Sequence, residues 1–83
     1  MREGELTMLE KIRDIMTRYV ELNPDDIKEE SKLVEDLGLT SFAFMSMMGD
    51  FEEEFEITVD ETELTDISTV GDIIAYIEKK QAE

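Results

Sequence analysis

The sequence predicts an all-α protein: a four-helix bundle of three main helices and one short helix, with a long loop between helices 1 and 2. Three observations point there. Apolar residues recur at three- and four-residue spacing in three separate stretches, the mark of helices that bury one face. The only stretch with strand-like character, Thr58-Val59, has no partner strand elsewhere in the chain. With 83 residues and a hydrophobic share of 41%, the chain is too apolar for a disordered acidic tail and too short for two cores, so residues 1–83 are read as a single domain. Residues 1–4 are expected to be a flexible terminus and residues 81–83 a flexible tail.

Helix 1 is expected from about Glu5 to Glu21, where Leu6, Leu9, Ile12, Ile15, Met16, Tyr19 and Val20 share a face and Asn23-Pro24 then stops the helix. From Pro24 to Thr40 apolar residues are sparse. Ile27, Leu33, Val34, Leu37 and Leu39 suit a long loop pinned to the core at intervals, with a short turn of helix near Leu33 to Asp36. Gly38 and Thr40 supply a break and a cap for helix 2, expected from Ser41 to about Glu56. A turn then leads to a short helix around Thr62 to Asp66. Ser68 or Thr69 caps the last helix, which carries Val70, Ile73, Ile74 and Ile77 on one face and Lys79 and Lys80 at its C-terminal end.

Cysteine and histidine are both absent, which removes disulfides, thiol nucleophiles, His-ligated metals and His general bases. The chain is read as non-catalytic and metal-free. An acidic calcium-sensor reading fails because no D-x-D-x-D-G loop with a closing Glu occurs. No apolar run forms a signal peptide or approaches the ~20 residues of a membrane span, so a cytoplasmic monomer without membrane insertion is expected. The formal net charge is −15, and between Leu33 and Glu78 there are thirteen acids and no Lys or Arg. Such a field repels nucleic acid and anionic membranes and steers basic protein surfaces into contact.

Helix 2 has more apolar residues than one face can use. At ~100° per residue, Phe44, Met47, Met48, Phe51 and Phe55 fall in one arc, the core stripe. Phe42, Met45 and Gly49 fall on another side, shared with Ser46, Glu52 and Glu53. Together with Thr40 these residues form a candidate docking stripe for a partner, beside Ser41 at the helix start. With no His to activate it, Ser41 cannot act as a triad nucleophile. Because Thr40 can cap the helix, the Ser41 hydroxyl reads as an attachment point modified by another enzyme.

The segment LVEDLGLTSFAFMSMMGDFEEEFEITV resembles the core of the acyl carrier proteins, whose pattern is close to VEDLG-x-DSL followed by an acidic helix ending in EEEF. The similarity runs from about Asp26 to Ile77 and includes the long first loop and the closing S-T-V…I-x-x-Y-I. The resemblance implies a 4′-phosphopantetheine arm, derived from coenzyme A and attached to Ser41 by a phosphopantetheinyl transferase. The chain would then carry acyl or aminoacyl thioesters to enzymes with basic and apolar docking surfaces, in fatty acid, polyketide or other specialised biosynthesis. The chain also departs from the pattern. Thr40 stands where the family has Asp, Phe42 where it has Leu, Ala43 and Ser46 where primary-metabolism carriers have acids, and Met45 and Gly49 where Val and Met are usual. The alternative is an unmodified docking module that uses the Phe42/Met45 face.

Overall fold

The structure, a computed structural model, describes residues 7–83. Three α-helices carry the fold: α1 Met8–Met16, α2 Ser41–Phe55 and α3 Val70–Ala82. Two 3-10 turns, Pro24–Asp26 and Glu61–Glu63, interrupt the connections, and the described residues contain no strand. The expected start of helix 1 at Glu5 and the expected flexible residues 1–4 lie outside the described residues.

Helix α1 begins at a capping box, in which the Thr7 hydroxyl accepts from the Glu10 amide at 3.1 Å while the Glu10 carboxylate accepts from the Thr7 amide at 2.9 Å. It ends at Met16, short of the expected Glu21. The Thr17 hydroxyl donates to the Asp14 carbonyl at 2.7 Å, and the backbone tightens so that Arg18 and Tyr19 donate three residues back, to Ile15 and Met16. A β-branched hydroxyl residue competing for helix carbonyls explains the early stop. Helix α2 keeps its predicted start and closes at Glu56, whose left-handed backbone (φ 54°) forms the C-cap. The short helix expected around Thr62 to Asp66 is instead the turn Glu61–Glu63, capped by Asp60, after which Leu64 turns into the core. Helix α3 is capped by Thr69 and runs to Ala82, so residues 81 and 82, expected in the tail, continue the helix.

The core lies where the three helices meet, with Ile12, Met16, Met47, Phe51, Val70, Ile73 and Ile77 all inaccessible to solvent. The long loop is pinned as expected by Ile27, Leu33, Leu37 and Leu39. Val34 is the exception, at 70% exposed. Leu33 and Leu37 are one helical turn apart and share a direction; Val34 sits off that row and points out. The predicted turn after Leu33 is present, with the Asp36 and Leu37 amides donating to the Lys32 carbonyl. Gly38 then takes a left-handed backbone (φ 71°) that a side chain would disfavour.

An isolated antiparallel bridge joins Lys32 to Thr69: Leu33 donates to the Ser68 carbonyl at 2.9 Å and Val70 to the Ser31 carbonyl at 3.0 Å. The Gly71 amide donates to the Glu29 carbonyl at 2.8 Å, an approach so close that a Cβ on Gly71 would lie 3.2 Å from that oxygen. The long loop is thus stitched to the start of α3, and both are brought to the N-terminal end of α2.

Candidate functional site at the start of helix 2

The sequence offered two hydroxyls for two tasks, and the geometry separates them. The Thr40 hydroxyl accepts from the Ala43 amide at 3.1 Å and its carbonyl accepts from the Phe44 amide at 2.8 Å, so Thr40 is the N-cap of α2. Ser41, the first helical residue, is exposed and relieved of capping. The first turn of α2 contains no acid.

Ser41 stands at the edge of a half-open groove of about 790 Å3. One lip is the loop segment Lys32 to Glu35, the other is Ile67 and Ser68, and Leu39 and Phe44 contribute apolar surface between them. Phe44, assigned by periodicity to the core stripe, is half-buried because its outer side borders this groove; Met47, Met48, Phe51 and Phe55 are fully in the core as expected. The Ser68 lip is fixed by one carboxylate. Asp72 Oδ2 accepts from the Ser68 amide at 3.0 Å, the Ser68 hydroxyl at 3.2 Å and the Thr69 amide at 3.1 Å. These bonds, the Ser68 and Thr69 backbone amides foremost, hold the Asp72 carboxyl below its ordinary pKa.

The proposed docking stripe divides. Phe42 is 82% exposed and Met45 38% exposed, so neither tucks under the loop. Gly49 is exposed and a Cβ there would meet nothing within 4 Å, while Glu53 is exposed and Ser46 half-buried on the same helix. Glu52 is different: it is half-buried and its Oε2 accepts from the Val59 amide at 2.7 Å, tying the end of α2 to the following loop. Val34 and Lys32 join the site without having been singled out. Val34 is expected among the residues that pin the loop to the core, but its position off the Leu33–Leu37 row turns it outward.

A second polar cluster holds the connection after α2. The Tyr76 hydroxyl donates to Glu63 Oε1 at 2.7 Å and accepts from the Asp60 amide at 3.1 Å. Lys80, with only 12% of its side chain exposed, reaches the same Glu63 oxygen at 2.9 Å. The Lys80 ammonium, then the Tyr76 hydroxyl, lower the Glu63 pKa, and Glu63 in turn raises that of Lys80. Among the described residues no group of His, Cys, Asp or Glu is arranged to hold a metal ion, and no helix is long and apolar enough to cross a membrane.

Comparison with known proteins decides the family. The family model described as "Phosphopantetheine attachment site" matches residues 10–77. The chain belongs to the acyl carrier protein family. An acyl carrier protein of Thermotoga maritima is 43% identical over 70 residues, covering 84% of this chain and 86% of the relative. One from Wolinella succinogenes is 37% identical over 73 residues, covering 88% and 96%. A solved structure of the acyl carrier protein from Enterococcus faecalis shares the fold with a TM-score of 0.74 at 24% identity, over 87% of this chain and 91% of that one. The cofactor of this family member is covalently attached 4′-phosphopantetheine. An exposed hydroxyl without a capping role, opening onto a groove with apolar walls, suits a flexible arm of that kind.

Proposed function

We propose that Ser41 is the attachment residue, modified by a phosphopantetheinyl transferase, and that the chain delivers acyl or aminoacyl groups between enzymes without catalysing a reaction itself. When attached, the arm supplies a terminal thiol on which such groups ride as thioesters. The division of labour between Thr40 and Ser41 carries this reading: one hydroxyl closes the helix, and its neighbour is left exposed at the groove mouth. The helix that bears Ser41 is closed by the Thr40 cap and anchored further along by Met47 and Met48 in the core, a firm base for an attachment point.

Docking is assigned to the face of Phe42, Met45 and Gly49, with Thr40, Ser46 and Glu53 at its margin. Phe42 supplies an apolar anchor beside Ser41, while acids from Asp50 onward provide longer-range attraction for basic partners. Tethering raises the effective concentration of cargo at each docked active site, and a modest interface lets partners exchange. An acid-free first turn fits partners whose contact surface near the serine is apolar, as in a specialised biosynthetic pathway. Intact-mass measurement after incubation with a promiscuous transferase and coenzyme A tests the assignment. One phosphopantetheine is gained by the wild type and none by Ser41→Ala; no gain in the wild type leaves only an unmodified docking module.

A further inference from the structure

Building on attachment at Ser41, we propose that Lys32 pairs with the phosphodiester that would join the arm to that serine, and so anchors the root of the arm at the groove mouth. Joining the arm adds a negative charge to a chain that already carries −15. Among the described residues, Lys32 is the only basic one lining the groove that Ser41 borders, and the next base along the chain is Lys79. Several other bases are committed elsewhere. Arg13 donates to the Ile27 carbonyl at 2.7 Å, Arg18 lies between Asp14 and Asp50, Lys11 sits over the Phe55 ring, and Lys80 is held by Glu63.

The placement of Lys32 is built by the backbone. Its amide donates to Asp36 Oδ2 at 2.8 Å, its carbonyl accepts from Asp36 and Leu37, and its strand-like bridge to Thr69 fixes it from the other side. The Leu39 amide donates to the Leu33 carbonyl at 3.0 Å, which closes the loop and sets Lys32 and Thr40 on either side of the closure. The side chain itself remains 59% exposed and pairs with Glu35 at 3.3 Å. An i,i+3 ion pair in solvent is weak, so the ammonium can serve a second anion at little cost. Glu35 therefore acts as a competitor: it holds Lys32 in the unmodified chain and opposes the phosphodiester in the modified one.

The test is a thermal cycle at low salt on the full chain. Wild type, Lys32→Gln and Glu35→Gln are each melted before and after loading, with loading verified by intact mass. The change in melting temperature on loading should be more favourable in wild type than in Lys32→Gln by about 1–5 °C, and more favourable still in Glu35→Gln. The difference should shrink at high salt, and the 31P resonance of the loaded wild type, unlike that of Lys32→Gln, should move as salt is added. Subtracting the unloaded form removes any effect of the Lys32–Glu35 pair on folding. An equal loading shift in wild type and Lys32→Gln overturns the inference while leaving Ser41 modified. No mass gain in the wild type overturns the attachment reading, and this inference with it.

Discussion

The connection before α2 is pinned by four apolar side chains, Ile27, Leu33, Leu37 and Leu39, buried in the core, whereas the connection after it buries Leu64 and adds a set of polar side-chain ties. There, Glu52 grips the Val59 amide, Tyr76 grips the Asp60 amide and Glu63, and Lys80 closes on Glu63. The difference bears on function because both connections supply a lip of the groove at Ser41. The first lip rests on hydrophobic pins, whose strength does not depend on pH. At the second, the Asp72 carboxylate holds Ser68 and Thr69 with a depressed pKa, so its grip depends on pH.

Breaking a pin should have the largest effect. Ile27 is wholly buried, and Ile27→Ala is expected to cost about 2–5 kcal/mol in urea unfolding, with the same loss at pH 5 and pH 8. Loosening the polar side should cost less. Tyr76→Phe keeps the ring but strands the Asp60 amide and leaves Glu63 Oε1 to Lys80 alone, for an expected loss of about 1–2 kcal/mol by the same measurement.

The groove lip at Ser68 gives the sharpest contrast in pH. Asp72 has a depressed pKa in the folded chain, so it binds its proton more readily when unfolded. Its contribution is complete above its ordinary carboxylate range and disappears as pH falls through the lowered folded value. The stability gap between wild type and Asp72→Asn, expected below about 1 kcal/mol, should therefore be constant near neutrality and close in acid. Taking the gap between two proteins cancels the self-repulsion common to both. A gap that widened as pH fell would reverse the assignment of this lip. The smallest stability effect is expected at the exposed anchor: Phe42→Ala should change unfolding by no more than about 0.5 kcal/mol, yet weaken transfer to partner enzymes in a loading or transacylation assay.

Much of this organisation was legible in the sequence because it is local. Angular spacing along α2 separated Met47, Met48, Phe51 and Phe55 from Phe42 and Met45, and the structure keeps that division. The caps at Thr40 and Thr69 follow from residue type and position. What escaped the sequence depends on contacts between distant residues. Glu52 reads as a surface acid until its loop folds back seven residues later, and the Tyr76–Glu63 bond spans thirteen. Nothing local in the sequence reveals that the bridge to Thr69 carries Lys32 to the mouth of the Ser41 groove. Val34 was placed inward by its hydrophobicity alone, although its offset from the Leu33–Leu37 row favoured solvent.

The central claim is that adjacent hydroxyls do different jobs, Thr40 closing α2 and Ser41 bearing the arm. Fragmentation mass spectrometry of the loaded protein, resolving the Thr40-Ser41 bond, addresses it directly. The account predicts phosphopantetheine on Ser41 alone, with Thr40 unmodified even in the Ser41→Ala variant. An arm located on Thr40, or on Ser46, would contradict it.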